Sequence, residues 1–273
     1  MKLNFRKVND YISPSKLSGA DYVINPYIGC PHACKYCYAV FMKRFTDHNE
    51  DWGTFIDIKQ CDKGINLKKI YKKKVFLSSV TDCYNPFEEK YRITRMILEE
   101  ISKVDCTIHI ATKSDLILRD IDILQRIKNL RVSISINTLD EKFKDDMDKA
   151  VSIERRLYAL KKLHIENIKT VLFMSPIFPL ITDFRGIIEK SNAYVTEYWF
   201  ENLNLRDNYK NIILSYIYHN YPQYYNIYEN IYINGNNAYW ENYISNIEEY
   251  CTKHSIVYKN YFTPVSSSVG DGL

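Results

Sequence analysis

From about residue 70 onward, short β-branched runs alternate with longer stretches whose apolar residues recur at helical spacing. The runs at 75–79, 107–111, 132–137, 169–174 and 195–201, with an earlier one at 22–25, predict strands. The stretches at 88–103, 119–128, 153–163 and 183–191 predict helices between them. Strand and helix in repeated alternation build a parallel sheet, so the expected class is α/β, an open or partial (β/α)6 TIM-like barrel. After Asn204 the pattern turns to helical segments dense in Tyr and Asn. The expected division is a core over 1–206 and a helical C-terminal extension over 207–273 that packs on the barrel, with 266–270 frayed.

Alternation within strands adds a prediction about the interior. Val132, Ile134 and Ile136 share one face, while Ser133, Ser135 and Asn137 share the other. If helices cover the apolar face, hydroxyls and an amide look into the barrel, where a packed interior would carry bulky aliphatics. The pattern therefore predicts a cavity for something polar, the alternative being a strand with one wetted face. His109, Ala111 and Lys113 share a face in the same way. Ligands of parallel α/β sheets sit at the C-terminal strand ends, which puts Asp82, Lys113, Asn137 and Glu201 or Asn202 on one rim. Glu197, Tyr198, Trp199, Glu201, Asn202, Asn204 and Arg206, on and after the last strand, are candidate substrate contacts.

Bulk composition narrows the class further. A hydrophobic fraction of 46% with 26% charged residues is ordinary for a globular protein and excludes disordered and fibrous chains. The formal charge of +4 neither demands nor excludes nucleic acid. No stretch approaches the ~20 apolar residues of a membrane span, and the first residues lack the apolar core of a signal peptide. A cytoplasmic location with no membrane association is expected, where Cys61, Cys83, Cys106 and Cys251 are reduced thiols.

The other three of the seven cysteines, Cys30, Cys34 and Cys37, lie within eight residues with no fourth close by. Soft thiolates at this density suit an iron-sulfur cluster or zinc, but structural zinc wants four ligands and a closed shell. Three thiolates on a four-iron cube leave one iron open for chemistry. Zinc with His48 or Cys61 as a fourth ligand, and disulfide pairing, are the competing readings.

The spacing C-x3-C-x2-C with an aromatic after the last cysteine resembles the radical S-adenosylmethionine (radical SAM) superfamily. Further blocks are similar to its spore photoproduct lyase-like (DNA repair photolyase-like) branch: Asn25 to His32, Thr81-Asp82-Cys83-Tyr84-Asn85-Pro86-Phe87-Glu88, Thr94 to Glu99, Thr112-Lys113-Ser114, Leu118-Arg119-Asp120 and Glu154-Arg155-Arg156-Leu157. The resemblance implies a 4Fe-4S cluster on Cys30, Cys34 and Cys37, with SAM chelating the open iron and cleaved reductively to a 5'-deoxyadenosyl radical. It implies that Ser79, Thr81 and Asp82 lie where the methionine ammonium is held, and that Lys113 or Arg156 meets the methionine carboxylate. Ser135 or Asn137 would reach the ribose hydroxyls. Tyr38, beside Cys37, is a candidate radical relay, Tyr36 and Tyr38 being alternatively packing groups. Arg156 is alternatively a surface ion pair, and Arg119 and Asp120 are expected to start a helix.

Two departures qualify the likeness. Val80 stands where spore photoproduct lyase has its hydrogen-donating cysteine, which argues against thymine-dimer repair; Cys83, on the same rim, is a candidate thiol donor or relay. Met147-Asp148-Lys149 replaces the Glu-Pro-Arg triplet of many relatives, so the loop there is expected to differ. The function expected is a radical SAM enzyme, of lyase or oxidoreductase type, acting on an unidentified substrate (nucleic acid, nucleotide or peptide). A reducing donor such as flavodoxin or ferredoxin, and a companion protein, are its expected partners. A DNA-repair lyase and a non-catalytic iron-sulfur or zinc subunit are the alternatives.

Overall fold

The computed structural model describes residues 1–265. The chain begins with β1 (Lys2–Lys7), β2 (Ile12–Pro14), β3 (Tyr22–Ile24) and β4 (Tyr27–Ile28), and after a long loop forms β5 (Phe55–Gln60) and β6 (Lys74–Leu77). There follow α1 (Glu88–Tyr91), α2 (Ile93–Ile101), β7 (Thr107–Thr112), α3 (Ile121–Leu124) and β8 (Asn129–Ser135). Next come α4 (Glu141–Met147), α5 (Ile153–Ile165), β9 (Lys169–Ile177), α6 (Phe184–Ser191) and β10 (Glu197–Asn202). The last described part holds α7 (Asp207–Asn220), α8 (Tyr225–Tyr232), α9 (Ala238–Lys253) and β11 (Tyr258–Asn260).

Strands β3, β6, β7, β8, β9 and β10 are neighbours in that order and all parallel, which is the six-unit partial barrel the alternation predicts. The sheet stays open. An antiparallel β2 covers one edge and a parallel β11 the other. The C-terminal extension is therefore not purely helical: after α9 it returns to the barrel and adds a strand to β10. Residues 266–270, expected to fray, lie outside the described residues. A second sheet, β1-β5-β4, has no counterpart in the predicted pattern: β4 is two residues long, β1 is partly exposed, and the buried β5 lies before the βα repeat that set the pattern.

Register makes the inside and outside of the barrel explicit. Val75, Ile108, Val132, Leu172 and Phe200 point outward and are buried under the helices. On the covering helices, Ile97, Leu98 and Ile101 of α2 recur at three- and four-residue spacing, as do Ile153, Leu157, Leu160 and Leu163 of α5. Phe76, His109, Ala111, Ser135, Phe173, Ser175 and Glu201 point inward and are only half-buried. The interior is thus a solvent-reached chamber. Its lower wall is aromatic: the His109 ring meets Phe76 edge-on at 4.6 Å and Trp199 at 4.7 Å. Burial pulls His109 down to about 3, so it is neutral, and its Nε2 lies 2.9 Å from Ser133 Oγ. Glu197, between Arg131 and Lys259 at 3.3 Å each, marks the N-terminal end of the barrel.

The stretch 88–103 is not one helix. Arg92 adopts φ +52° and divides it into α1 and α2. The break lets Glu88, fully buried, turn its carboxylate onto the free backbone N–H of Thr94 (2.8 Å) and of Arg95 (3.2 Å), while Tyr27 Oη also donates to it. Arg119 donates to Glu88 Oε1 at 2.7 Å and to both oxygens of the buried Asp120 at 2.8 Å, and Arg95 adds a 2.9 Å bond to Asp120. Asp120 stands at the N-cap of α3, as expected of a helix start, but makes no side-chain cap bond; its carboxylate and Glu88 both take the Arg119 guanidinium instead. Arg119→Met would leave two buried carboxylates with too few donors, and a stability loss of about 3–5 kcal/mol is expected. Urea unfolding followed by circular dichroism measures it, and an unchanged midpoint would contradict this account.

Candidate functional site

The three cysteines occupy the loop between β4 and a 3-10 segment, Tyr38–Phe45. Gly29 enters the loop at φ +85°, where a Cβ would come 2.4 Å from Phe55 O, so only glycine allows this approach. Ala33 and Cys37 close turns onto the carbonyls of Cys30 and Cys34. All seven cysteines are free thiols, which removes the disulfide reading.

Two buried carboxylates hold this loop. Asp82, after β6, accepts from four donors: His32 Nε2 (3.1 Å) and Lys113 N (2.8 Å) on one oxygen, Thr112 Oγ1 (2.7 Å) and Tyr84 N (2.9 Å) on the other. Burial raises its pKa, but His32 and these donors outweigh that and hold it below the ordinary range. Asp148, after α4, accepts from Tyr36 Oη at 3.1 Å and from Arg156 Nη2 at 2.6 Å. The adjoining backbone is also tied, Lys35 N to Met147 O at 2.9 Å and Lys149 N to His32 O at 2.7 Å. Met147-Asp148-Lys149, read as a departure from relatives, is thus the seat of the cysteine loop.

These contacts revise several expectations. Asp82, expected beside an ammonium, has both oxygens saturated by the chain itself. Arg156, expected at a carboxylate or on a helix surface, is buried, with its guanidinium on Asp148, Val151 O and Ser135 O. Cys83 is wholly buried among core side chains, and its carbonyl accepts from Thr94 Oγ1 at 2.6 Å. Asn137 donates to Pro176 O at 3.0 Å. Of the candidate substrate contacts, Glu197 lies at the far end and Tyr198 points outward to Ser191. Asn202 and Asn204 bind Thr263, and Arg206 leans on Asn204.

What remains converges on one mouth. Ser78, at φ +74°, turns the chain after β6 so that Ser79 accepts from Asn25 Nδ2 at 2.9 Å. Thr81 Oγ1 donates to Gly29 O at 2.6 Å, and Tyr38, exposed, donates to Ser79 O. Lys113 Nζ lies 5.7 Å from the Tyr36 ring centre and forms no ion pair among the described residues. Its charge acts on Cys34, Cys37 and Glu201. Glu201, pushed up by burial, accepts from Ser175 Oγ on the neighbouring strand β9. His32, Asn25, Asp148 and Ser175 escaped the sequence reading; His32 alone carried a local signal, its place between Cys30 and Cys34.

The donor set fits a thiolate cluster. Burial raises all three thiols, Cys34 to about 12, and Cys30 is raised further by Asp82 and by the other two cysteines. Coordination to cationic iron reverses that penalty, since a ligating thiol is deprotonated outright. No three His, Cys, Asp or Glu among the described residues are placed to hold a single ion. His48, the suggested fourth zinc ligand, has both ring nitrogens against carboxylates, Asp57 at 2.7 Å and Glu50 at 3.1 Å; Cys61 donates to Gly64 O. Two buried polar atoms without a partner, His32 Nδ1 and Trp52 Nε1, adjoin the cysteine loop.

A loop of three half-buried cysteines at the mouth of an open six-strand parallel barrel is the arrangement of a radical SAM protein. Residues 24–188 match the radical SAM superfamily, and the chain belongs to it. The family's cofactors are a 4Fe-4S cluster and S-adenosylmethionine. An uncharacterized protein of Methanocaldococcus jannaschii is 39% identical over 225 residues, covering 82% of this chain and 85% of that protein. One from Acidianus two-tailed virus is 31% identical over 205 residues, covering 65% and 67%. In fold, the chain is similar to spore photoproduct lyase complexed with dinucleoside spore photoproduct (TM-score 0.59, 17% identity, 81% of this chain and 66% of that one). Streptococcus suis SuiB bound to S-adenosylmethionine is also similar (TM-score 0.51, 14% identity, 88% and 46%). No helix among the described residues is long and apolar enough to cross a membrane.

Asp148 gives the seat of the loop a pH signature. Burial opposes its charge, yet Arg156 and Lys113 hold its pKa below the ordinary ~3.9. A depressed carboxylate contributes stability fully above its unfolded pKa and loses it as pH falls through the folded value. Asp148→Asn is expected to cost about 3 kcal/mol or more at pH 7 by stranding Arg156. The gap from wild type should begin to narrow below pH ~4, where the unfolded chain's carboxylate takes up its proton, and close further as pH falls through the lower folded value. Denaturant melts at pH 7 and pH 3 check this; an equal gap at both would count against the ion pair.

Proposed function

We propose that this chain binds a four-iron cluster through Cys30, Cys34 and Cys37 and uses SAM for hydrogen abstraction from a substrate held in the barrel. The observation that carries the reading is that the loop of three free, half-buried cysteines is anchored through Asp82 to the C-terminal strand ends, beside the unpaired Lys113 ammonium. When bound, the cluster and SAM supply one-electron cleavage of a carbon–sulfur bond and hydrogen-atom transfer. Lys113 meets the methionine carboxylate, and the Thr81 hydroxyl and the carbonyls near it replace Asp82 as the setting for the ammonium. Ser135, on the inner face of β8, is the ribose contact. Asn137, with its amide engaged, serves through its carbonyl oxygen.

Glu201 and Ser175 form the substrate wall. They are inward, polar and opposite the cysteine loop, above the aromatic group of Phe76, His109, Phe173 and Trp199. A substrate with a flat apolar part and a hydrogen-bond donor matches this lining. Tyr38 restricts water at the mouth by its bond to Ser79, and Cys83, a core thiol, has no part in the transfer. With Val80 at the donor position and Cys83 buried, thymine-dimer repair is not adopted. Residues 1–206 act as the catalytic core and 207–273 as its cap, in the cytoplasm, with electrons from a flavodoxin- or ferredoxin-like donor.

Anaerobically reconstituted protein given SAM and a strong reductant is expected to release 5'-deoxyadenosine, and Cys34→Ala to release none. Equal release from the variant would end the proposal. Lys113→Ala should weaken SAM binding about tenfold to hundredfold, the loss of about 1.5–3 kcal/mol of charge-assisted hydrogen bonding. Equilibrium binding of SAM to the loaded protein measures it.

A further inference from the structure

Every buried carboxylate among the described residues faces a basic side chain, from Asp57 on His48 to Asp148 on Arg156 and Glu197 on Arg131. Glu201 breaks this rule. It is half-buried on the inner face of β10, its Oε2 takes the Ser175 hydroxyl, and no Lys, Arg or His among the described residues pairs with it. Lys113 acts on it only from a distance.

One layer down, the same wall shows what such a pairing looks like. Phe173, Trp199 and Lys259 are neighbours across β9, β10 and β11. Lys259 and Arg131 stand 5.2 Å and 5.6 Å from the Trp199 ring centre and 3.3 Å from Glu197, so a carboxylate and an aromatic ring together hold cations at the floor. One step up, Ser175, Glu201 and Tyr261 follow on the same three strands. Tyr261 N donates to Phe200 O at 2.8 Å, which carries the β11 ladder past Asn260 and turns Tyr261 to the face of Lys259. Its ring is 37% exposed and lies 5.3 Å from Trp199 and 6.2 Å from Phe173, inclined 62° to each. Asn202 pins the chain just beyond by two 2.9 Å bonds with the Thr263 backbone, so the ring is fixed. The upper layer repeats the carboxylate and the ring, and no side chain of the described residues supplies its cation.

We propose that this upper layer binds a primary ammonium group of the substrate, paired with Glu201 and set against the face of Tyr261, while the flat apolar part of the same molecule rests on Phe173 and Trp199. This rests on the reading of the chamber as the substrate site. An ammonium brings three donors and no acceptor, and Glu201 Oε1 and the lone pairs of Ser175 Oγ are acceptors with capacity left. A carboxylate drawn out of water without a cation is costly, and burial already pushes Glu201 up; an arriving ammonium removes that penalty, whereas a neutral isostere does not. Tyr261 comes from beyond residue 206, so the C-terminal extension supplies a substrate contact as well as a cap.

The probes are phenethylamine and its neutral isostere phenylethanol, titrated calorimetrically into protein loaded with cluster and SAM. Wild type is expected to bind the amine about tenfold to hundredfold more tightly than the alcohol. Glu201→Gln should abolish that preference by weakening the amine alone. Tyr261→Leu should weaken the amine about twofold to fivefold, and Tyr261→Phe, which keeps the ring, should not. Equal affinity for the two compounds in wild type, no binding of the amine, or a preference that survives Glu201→Gln overturns the proposal. Protein that takes up no iron and sulfide would instead sink the cluster assignment, and the same titration on it would still decide the ammonium site.

Discussion

A buried carboxylate with four donors holds the candidate site together. Asp82 draws His32 from the cysteine loop, Thr112 and Lys113 from the end of β7, and Tyr84 from its own turn onto two oxygen atoms. Taking a charge out of water is expensive unless every lone pair is met. That demand fixes the relative positions of three chain segments far apart in sequence. The cysteine loop cannot drift from the barrel rim without stranding the charge.

Asp148 repeats the device on the other side of the loop. Arg156 brings it under β8, and Tyr36 carries the connection to the residue before Cys37. Between these two anchors the three cysteines belong to a loop with little regular hydrogen bonding of its own. The division of labour is physical: side chains whose polar atoms are spent inside the chain hold the frame, and those with capacity to spare face the chamber. Lys113 and Glu201 belong to the second group.

The network of Glu88, Arg95, Arg119 and Asp120 explains the sequence blocks that are not at the mouth. Asn25 to Gly29, Thr94-Arg95 and Arg119-Asp120 are separate in sequence but meet around Glu88 and the β6 turn. Their shared occurrence with the spore photoproduct lyase-like pattern is a matter of frame as much as of chemistry.

Local pattern was enough for the six parallel strands, the inward polar face of β8 and the three-cysteine loop, because side-chain alternation and ligand spacing are written along the chain. Pattern failed where charge is cancelled at a distance. Asp82 and Arg156 look like ligand contacts in one dimension, and Arg119 with Asp120 looks like a helix start and nothing more. Only folding revealed that each is consumed by a partner dozens of residues away, or, for Arg156, by Asp148 across a helix entry. Ser175 carries no signal until the tertiary structure sets it against Glu201. Periodicity decides which face a residue takes; which polar atom is left over depends on what the rest of the chain brings to meet it.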